Sequence, residues 1–210
     1  MGGQTSVYGA TPQFRLADFR GDQQNMALLP LSTNPFSAPA DRDMLPSERR
    51  QFVLTHRTCV FGYGRRNDGP SMSIVYYVPD DSGTLYVATM AGRAKAKAVV
   101  RSRKVSLCVL DETWPFSYLQ VYCDAVIERD PEFVCDVMMG VAWRMSGQAL
   151  QAQARPMIHA MRQKEDRVVL KCTPYATFAT PPRHLQSNDQ QEKLTHWLSG
   201  SVPWWSEDPA

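Results

Sequence analysis

Three strand-like runs joined by two short turns occupy residues 58–88, and they constrain the fold more than any other feature of the chain. The first two runs, 58–63 and 72–78, are rich in β-branched and aromatic residues and flank an Asn-Asp-Gly-Pro turn sequence. A second turn at 79–83 leads into the third run. Links this short cannot contain a crossover helix, so the neighbouring strands must run antiparallel. A doubly wound parallel sheet is therefore excluded.

The rest of the chain up to residue 180 supplies further strands and helices. Residues 118–127 alternate Leu, Val, Cys, Ala and Ile with mostly polar neighbours, which indicates a strand with one buried face. We predict other strands at 105–110, 167–172 and 175–178, and helices at 46–56, from about 93, at 131–145 and at 148–163. The predicted fold class is α+β and mainly β: a six- to seven-stranded antiparallel sheet with an inserted helix. Closing such a sheet into a small barrel removes its exposed edges.

Composition divides the chain into three parts. With 43% hydrophobic and 21% charged residues, the 210-residue chain is typical of one globular domain with some extension. Residues 1–45 are rich in Pro, Ser, Asn and Gln and are expected to wrap the domain or stay mobile. The domain itself is expected at 46–180, and 181–210 form a polar tail. Trp204 and Trp205 near its end either cap the pocket of a neighbouring subunit, or pack on their own chain or stay mobile.

The sequence does not favour several common kinds of site. The five cysteines are odd in number and include no Cys-x-x-Cys pair, and the four histidines are dispersed, so neither a disulfide framework nor a metal site is expected. No P-loop and no nucleophile elbow is present.

No apolar run approaches the length that spans a bilayer, and the first residues lack secretory features. We expect a cytosolic protein without membrane contact.

A strongly positive segment lies in a chain whose formal net charge is only +2. Residues 82–110 contain six Lys and Arg side chains and no acidic one. Arg93, Lys95 and Lys97 fall in the first turns of the predicted helix, where the helix dipole already disfavours cations. A bound phosphate would satisfy the free backbone N–H groups, the Thr89 hydroxyl and these side chains together. The segment therefore predicts a phosphate-binding corner, with a solvated basic helix face as the alternative.

Three segments, in their order along the chain, resemble one known family. Residues 85–107 contain a strand, a threonine, a basic helix and a following strand. Residues 114–125 form an aromatic approach to another strand, and 166–170 read Asp-Arg-Val-Val-Leu. Together they resemble the split β-barrel family of pyridoxamine phosphate oxidase-like flavin proteins and their deazaflavin-dependent relatives, over about residues 46–180. The resemblance implies a split β-barrel of the FMN-binding type.

The resemblance also implies a function. Family members bind FMN or the deazaflavin coenzyme F420 and form homodimers with two sites at the interface. The cofactor does the redox chemistry, so no catalytic side chain need be recognisable. We therefore expect a flavin- or F420-dependent oxidoreductase that transfers a hydride or two electrons to or from a small organic substrate. The residues implied at the cofactor are Thr89, Arg93 and Lys95 at its phosphate with Lys97 nearby, Ser73, Ile74 and Val75 beside the ring and ribityl chain, mainly through backbone groups, and Tyr118 from the partner subunit.

Two departures from the family pattern narrow the activity. Cys123 replaces the usual glycine, and the strand at 73–78 lacks the arginine and lysine of the phosphate oxidases proper. Oxidation of pyridoxamine phosphate is therefore not expected. The aromatic residues that could line a substrate pocket, or equally belong to the core or an interface, are Trp114, Phe116, Tyr76 and Tyr77.

Other interpretations stay open. FMN and F420 are not distinguished, because both present a phosphate to the same corner. A non-catalytic protein could hold a flavin or a haem in the same barrel, and a haem would need a histidine such as His56 or His184. A nucleic-acid module using the basic helix would show salt-sensitive binding. The small net charge and the lack of a recognisable RNA or DNA motif argue against it.

Overall fold

A computed structural model describes residues 35–39, 42–111, 116–148, 150–180 and 201–209. The helices are α1 (Pro46–Thr55), α2 (Ala94–Ser102), α3 (Pro131–Ser146) and α4 (Arg155–Lys164), the last preceded by a 3-10 turn, Ala152–Ala154. The strands are β1 (Thr58–Tyr63), β2 (Ser71–Tyr76), β3 (Val78–Pro79), β4 (Leu85–Met90), β5 (Lys104–Asp111), β6 (Ser117–Glu128), β7 (Arg167–Phe178) and β8 (Val202–Pro203). Within these ranges, no helix has the length and apolar character to cross a membrane.

All eight strands belong to one sheet, and every described pair is antiparallel. The hydrogen-bonded order is β2-β1-β5-β6-β7-β4-β3, with β8 beside β7. The two ends of this order, β2 and β3, are consecutive segments of chain separated by Tyr77 alone. The sheet must therefore curl until its two edges meet, and β2 contacts β4 without pairing to it. The predicted antiparallel split-barrel fold class is confirmed, and β8 is a two-residue addition to the predicted strands.

The inner face of the curled sheet forms the main hydrophobic core. The register places Phe61 opposite Leu107, and Leu107 opposite Val121, so these side chains line one face. All three are fully buried. The predicted alternation of β6 is confirmed, since its residues from Ser117 to Ala125 alternate between buried positions and more exposed ones. A second, smaller core lies between β4, β7 and the α3–α4 hairpin.

Three predicted elements differ from the structure. The strand expected at 72–78 is divided at Tyr77 into β2 and β3, which lie at opposite ends of the sheet order because the chain passes there from one edge of the curled sheet to the other. The helix expected at 148–163 begins at Arg155, because Gly147 ends α3 with a left-handed φ of 71° and Pro156 favours the first turn of a new helix. The two strands expected at 167–172 and 175–178 are one strand, β7. Pro174 falls between them in sequence, and the register of β6 shifts opposite it, between Tyr122 and Cys123. This irregularity lets a proline stay within the strand.

The end of the chain packs on its own barrel. β8 pairs with β7, and Trp204 is only 2% exposed within the main core. Arg50 of α1 donates to the carbonyl oxygens of Trp204 and Ser206 at 2.9 and 3.0 Å. Of the two interpretations of Trp204, the structure therefore shows packing on its own chain. Residues 181–200 of the predicted tail lie outside the described residues, as do residues 1–34 of the predicted N-terminal extension.

Candidate functional site

The N-terminus of α2 lies at the end of β4, and its capping position is unusual. Arg93 is the N-cap residue, with an extended backbone and no capping hydrogen bond from its side chain. The first helical N–H groups, from Ala94 to Ala96, have no partner within the helix. The first turn contains no acidic residue. Thr89, 6% exposed, lies four residues earlier on β4. Free N–H groups and cations thus lie at one corner that follows the strand of Thr89, and of the three cations Arg93 and Lys97 are exposed whereas Lys95 is half-buried.

Lys95 points from this corner into the barrel. Its Nζ lies 5.8 Å from the centroid of the Phe61 ring, and its side chain is half-buried. Burial lowers the pKa of the Lys95 ammonium below its usual value, the Cys59 thiol opposes this shift, and Arg93 adds to it. Among the described residues, no acidic side chain forms an ion pair with Arg93, Lys95 or Lys97. A partly desolvated cation without a counter-ion favours an anionic ligand at this corner.

The register of β2 brings part of the predicted ring-binding segment next to Lys95. Ser73 pairs with Phe61 and Val75 pairs with Cys59, so all four side chains project to the inner face. Ile74 projects to the outer face, where 77% of it is exposed. The structure therefore places the side chains of Ser73 and Val75 on the inner face, where Lys95 approaches Phe61, and directs the Ile74 side chain away from it.

The backbone of β2 offers free hydrogen-bonding groups. The Tyr77 N–H donates to the Arg57 carbonyl at 3.3 Å, and bonded positions alternate in an antiparallel pair. The N–H and C=O groups of Ser73 and Val75 therefore face β1, whereas those of Ile74 point away from it. Because β2 ends the hydrogen-bonded order of the described sheet, the Ile74 groups face the gap between β2 and β4. A flat polar ring could pair with them there.

Tyr118 lies on the other face of the sheet. It pairs with Leu110, which is 45% exposed, and its neighbour Leu119 is fully buried on the inner face. The Tyr118 hydroxyl lies 3.1 Å from the Thr180 hydroxyl. Within one chain the sheet itself separates Tyr118 from Lys95, so Tyr118 could reach such a site only in a second copy.

The other aromatic candidates have different surroundings. Tyr77 is fully buried and its hydroxyl donates to the Val53 carbonyl at 2.5 Å, so it belongs to the core and does not line a pocket. Tyr76 is half-buried and Phe116 is 60% exposed, while Trp114 lies outside the described residues. Sequence reasoning missed Cys59 and Phe61 as the surroundings of Lys95. Only the strand register could have indicated them.

Of the two histidines considered for a haem, His56 lies within the described residues, and its ring is buried beside α1. His56 is 7% exposed, stacks on Phe52 with ring centroids 4.0 Å apart, and has its Nδ1 2.7 Å from the Phe52 carbonyl oxygen. Burial lowers the pKa of its imidazole, and the bond to Phe52 and the charge of Asp111 oppose this. His184 lies outside the described residues. In the part of the chain that the structure describes, no group of three or more His, Cys, Asp or Glu residues could hold a metal ion.

Residues 45–180 match the family model described as pyridoxamine 5'-phosphate oxidase. The chain belongs to the pyridoxamine 5'-phosphate oxidase family. This match contains the β2 edge, Thr89, the N-terminus of α2 and Tyr118, so every residue implied at the cofactor lies within the family's shared region. The comparison with curated proteins gives no match.

Solved structures show the same fold as this family member. The conserved hypothetical protein Rv2991 from Mycobacterium tuberculosis is similar with 24% identity and a TM-score of 0.58, over 71% of this chain and 92% of that one. At this identity the likeness shows the fold alone. Weaker likenesses include an F420 reductase (21% identity, TM-score 0.45, 58% and 88% of the two chains) and HutZ, the haem-storage protein from Vibrio cholerae (21%, 0.44, 61% and 86%). Likenesses this weak do not bear on the choice of cofactor.

Proposed function

We propose that this family member is a flavin- or F420-dependent oxidoreductase that acts on a small organic substrate. The observation that carries the proposal is Lys95, a half-buried cation without an acidic partner among the described residues, beside an uncapped helix N-terminus. A phosphate group fits this corner, because it would accept hydrogen bonds from the free N–H groups of α2 and offset the charges of Arg93, Lys95 and Lys97.

The remaining residues would bind and orient the cofactor ring. The free backbone groups of Ile74 would pair with its polar edge, and Ser73 and Val75 would lie against it on the inner face. When bound, the cofactor would supply two-electron or hydride transfer, so the chain's own residues would need only to bind it, orient it and exclude water. FMN and F420 both carry the phosphate that the corner requires, and the proposal covers either one.

The proposal includes a homodimer in which Tyr118 of one subunit reaches the site of the other. The support is that Tyr118 lies on the outer face of the sheet, where it cannot reach the corner of its own chain. Sedimentation equilibrium should give twice the mass of the chain, and a monomeric mass throughout the micromolar range would contradict this arrangement.

Ligand titration tests the phosphate corner directly. The flavin fluorescence of FMN and of riboflavin, which lacks the phosphate, should be followed as each is added to the wild type and to the Arg93→Ala/Lys95→Ala variant. The same comparison should be made with F420. Because the variant loses two charge-assisted contacts to the phosphate, FMN or F420 affinity should fall by about 100-fold or more. Riboflavin affinity should change much less.

A matched control removes the same charge elsewhere. Lys164→Ala/Lys171→Ala changes two exposed lysines on α4 and β7 and should leave every affinity unaltered. Equal FMN affinity in the wild type and the Arg93→Ala/Lys95→Ala variant would contradict the assignment of the corner. A wild type that binds a flavin tightly but transfers no electrons to any acceptor would instead support the non-catalytic alternative.

A further inference from the structure

Among the described residues, the Ser73 hydroxyl is a buried polar group without a hydrogen-bond partner. Its Oγ atom is inaccessible to solvent and has no hydrogen-bond partner, although the residue as a whole is partly exposed. Leaving a buried hydroxyl unpaired is unfavourable, so such groups usually have a partner in a functional state of the protein.

The position of Ser73 indicates where that partner would come from. Its side chain is directly opposite Phe61, the ring that Lys95 approaches, and its strand is the edge that faces the gap between β2 and β4. The exposed part of the residue consists of atoms other than Oγ. A rotation about χ1 would take the hydroxyl away from its present buried position, at the cost of one change of rotamer.

We propose that Ser73 is a ligand-positioning residue whose hydroxyl turns out of the core when the site is filled and hydrogen-bonds a polar atom of the ring or ribityl chain. The inference rests on the proposed function, and it extends the role of Ser73 beyond backbone contacts. The hydroxyl discriminates in favour of ligands with a hydrogen-bonding group at this position, and it acts independently of the phosphate, which Lys95 and Arg93 bind.

The substitution Ser73→Ala should stabilise the ligand-free protein and weaken ligand binding. Without added ligand, alanine removes an unpaired buried hydroxyl, and the midpoint of thermal unfolding should rise by about 2 to 4 °C. With ligand, alanine removes one hydrogen bond, and the affinities for FMN and riboflavin should both fall by about 2- to 12-fold. A serine with a packing role alone would change the unfolding midpoint without changing either affinity.

The test is a fluorescence titration with FMN and with riboflavin, together with thermal unfolding, on the wild type and on Ser73→Ala. Ser146→Ala, at an exposed position of α3, is the control for affinity, and Ser117→Ala, whose Oγ is also buried without a partner, is the control for unfolding. An equal loss for both ligands supports the inference. If Ser73→Ala binds both ligands as tightly as the wild type, or loses affinity for FMN alone, the Ser73 assignment is overturned while the phosphate corner is left intact. A wild type that binds neither FMN, riboflavin nor F420 overturns the proposed function and the Ser73 assignment together.

Discussion

Trp204 should contribute a large share of the stability of the barrel, although it lies only six residues from the end of the chain. Its indole ring is 2% exposed and lies against Gly83 within the main core. Burying about 200 Å² of indole surface at about 25 cal/mol per Å² stabilises the fold by about 5 kcal/mol. The buried Nε1 donor has no hydrogen-bond partner among the described residues, which offsets about 1 to 3 kcal/mol of that gain. Trp204→Ala should therefore lower the free energy of unfolding by about 2 to 4 kcal/mol.

The assay is thermal unfolding with Trp205→Ala as the matched control. Trp205 is the adjacent residue and is 64% exposed, so its replacement should change the free energy of unfolding by less than about 0.5 kcal/mol. For a chain of this size, the loss expected for Trp204→Ala corresponds to a fall of about 5 to 15 °C in the unfolding midpoint. Ligand affinity, measured well below that midpoint, should be unchanged in both variants.

Two results would refute this reasoning. Equal unfolding midpoints for Trp204→Ala and Trp205→Ala would show that the core does not depend on the indole ring. An unchanged midpoint together with a large loss of ligand affinity would favour the other interpretation of the tail, in which Trp204 covers the pocket of a neighbouring subunit.

Two further predictions follow from the same contacts and from the phosphate corner. Gly83→Ala would place a Cβ 2.8 Å from Trp204 Nε1, at a residue with a φ of +76°, so it should destabilise the fold by about 2 kcal/mol or more. The control is Gly69→Ala, whose added Cβ would meet no neighbouring group within 4 Å, and it should be near neutral in thermal unfolding. Burial lowers the pKa of Lys95, and a phosphate requires its charged form, so FMN affinity should fall as the pH rises through that lowered pKa. Riboflavin affinity should not show this fall. In the Lys95→Arg variant, the fall in FMN affinity should occur at higher pH. Parallel titration curves for the two ligands would show that Lys95 does not contact the phosphate.

Local patterns predicted those parts of the fold that depend on near neighbours in sequence. The short links at 64–70 and 79–83 permitted only antiparallel pairing, and the structure has β1 paired with β2 and β3 paired with β4. The boundaries of α4 and β7 were wrong, because the effect of a proline depends on its context. Pro156 begins a helix, and Pro174 is accommodated opposite a shift in the register of β6.

The candidate site likewise has features that the sequence predicts and features that only the strand register reveals. The position of Arg93, Lys95 and Lys97 at a helix N-terminus could be predicted from the sequence, because a run of cations before an alanine-rich segment is visible in the order of the residues. The contact of Lys95 with the Phe61 ring and the unpaired hydroxyl of Ser73 could not, because they depend on which residues face each other across strands.

The sequence by itself determined the antiparallel strands, the basic helix that follows β4 and the placing of three cations at its N-terminus, since each depends on residues close together in the chain. Only the tertiary structure decided that β2 and β3 close the sheet on either side of Tyr77, that Tyr118 and Lys95 lie on opposite faces, and that Trp204 returns to the core. The physical reason is that these features depend on the register and curvature of the whole sheet, which many long-range contacts set together and no local segment encodes.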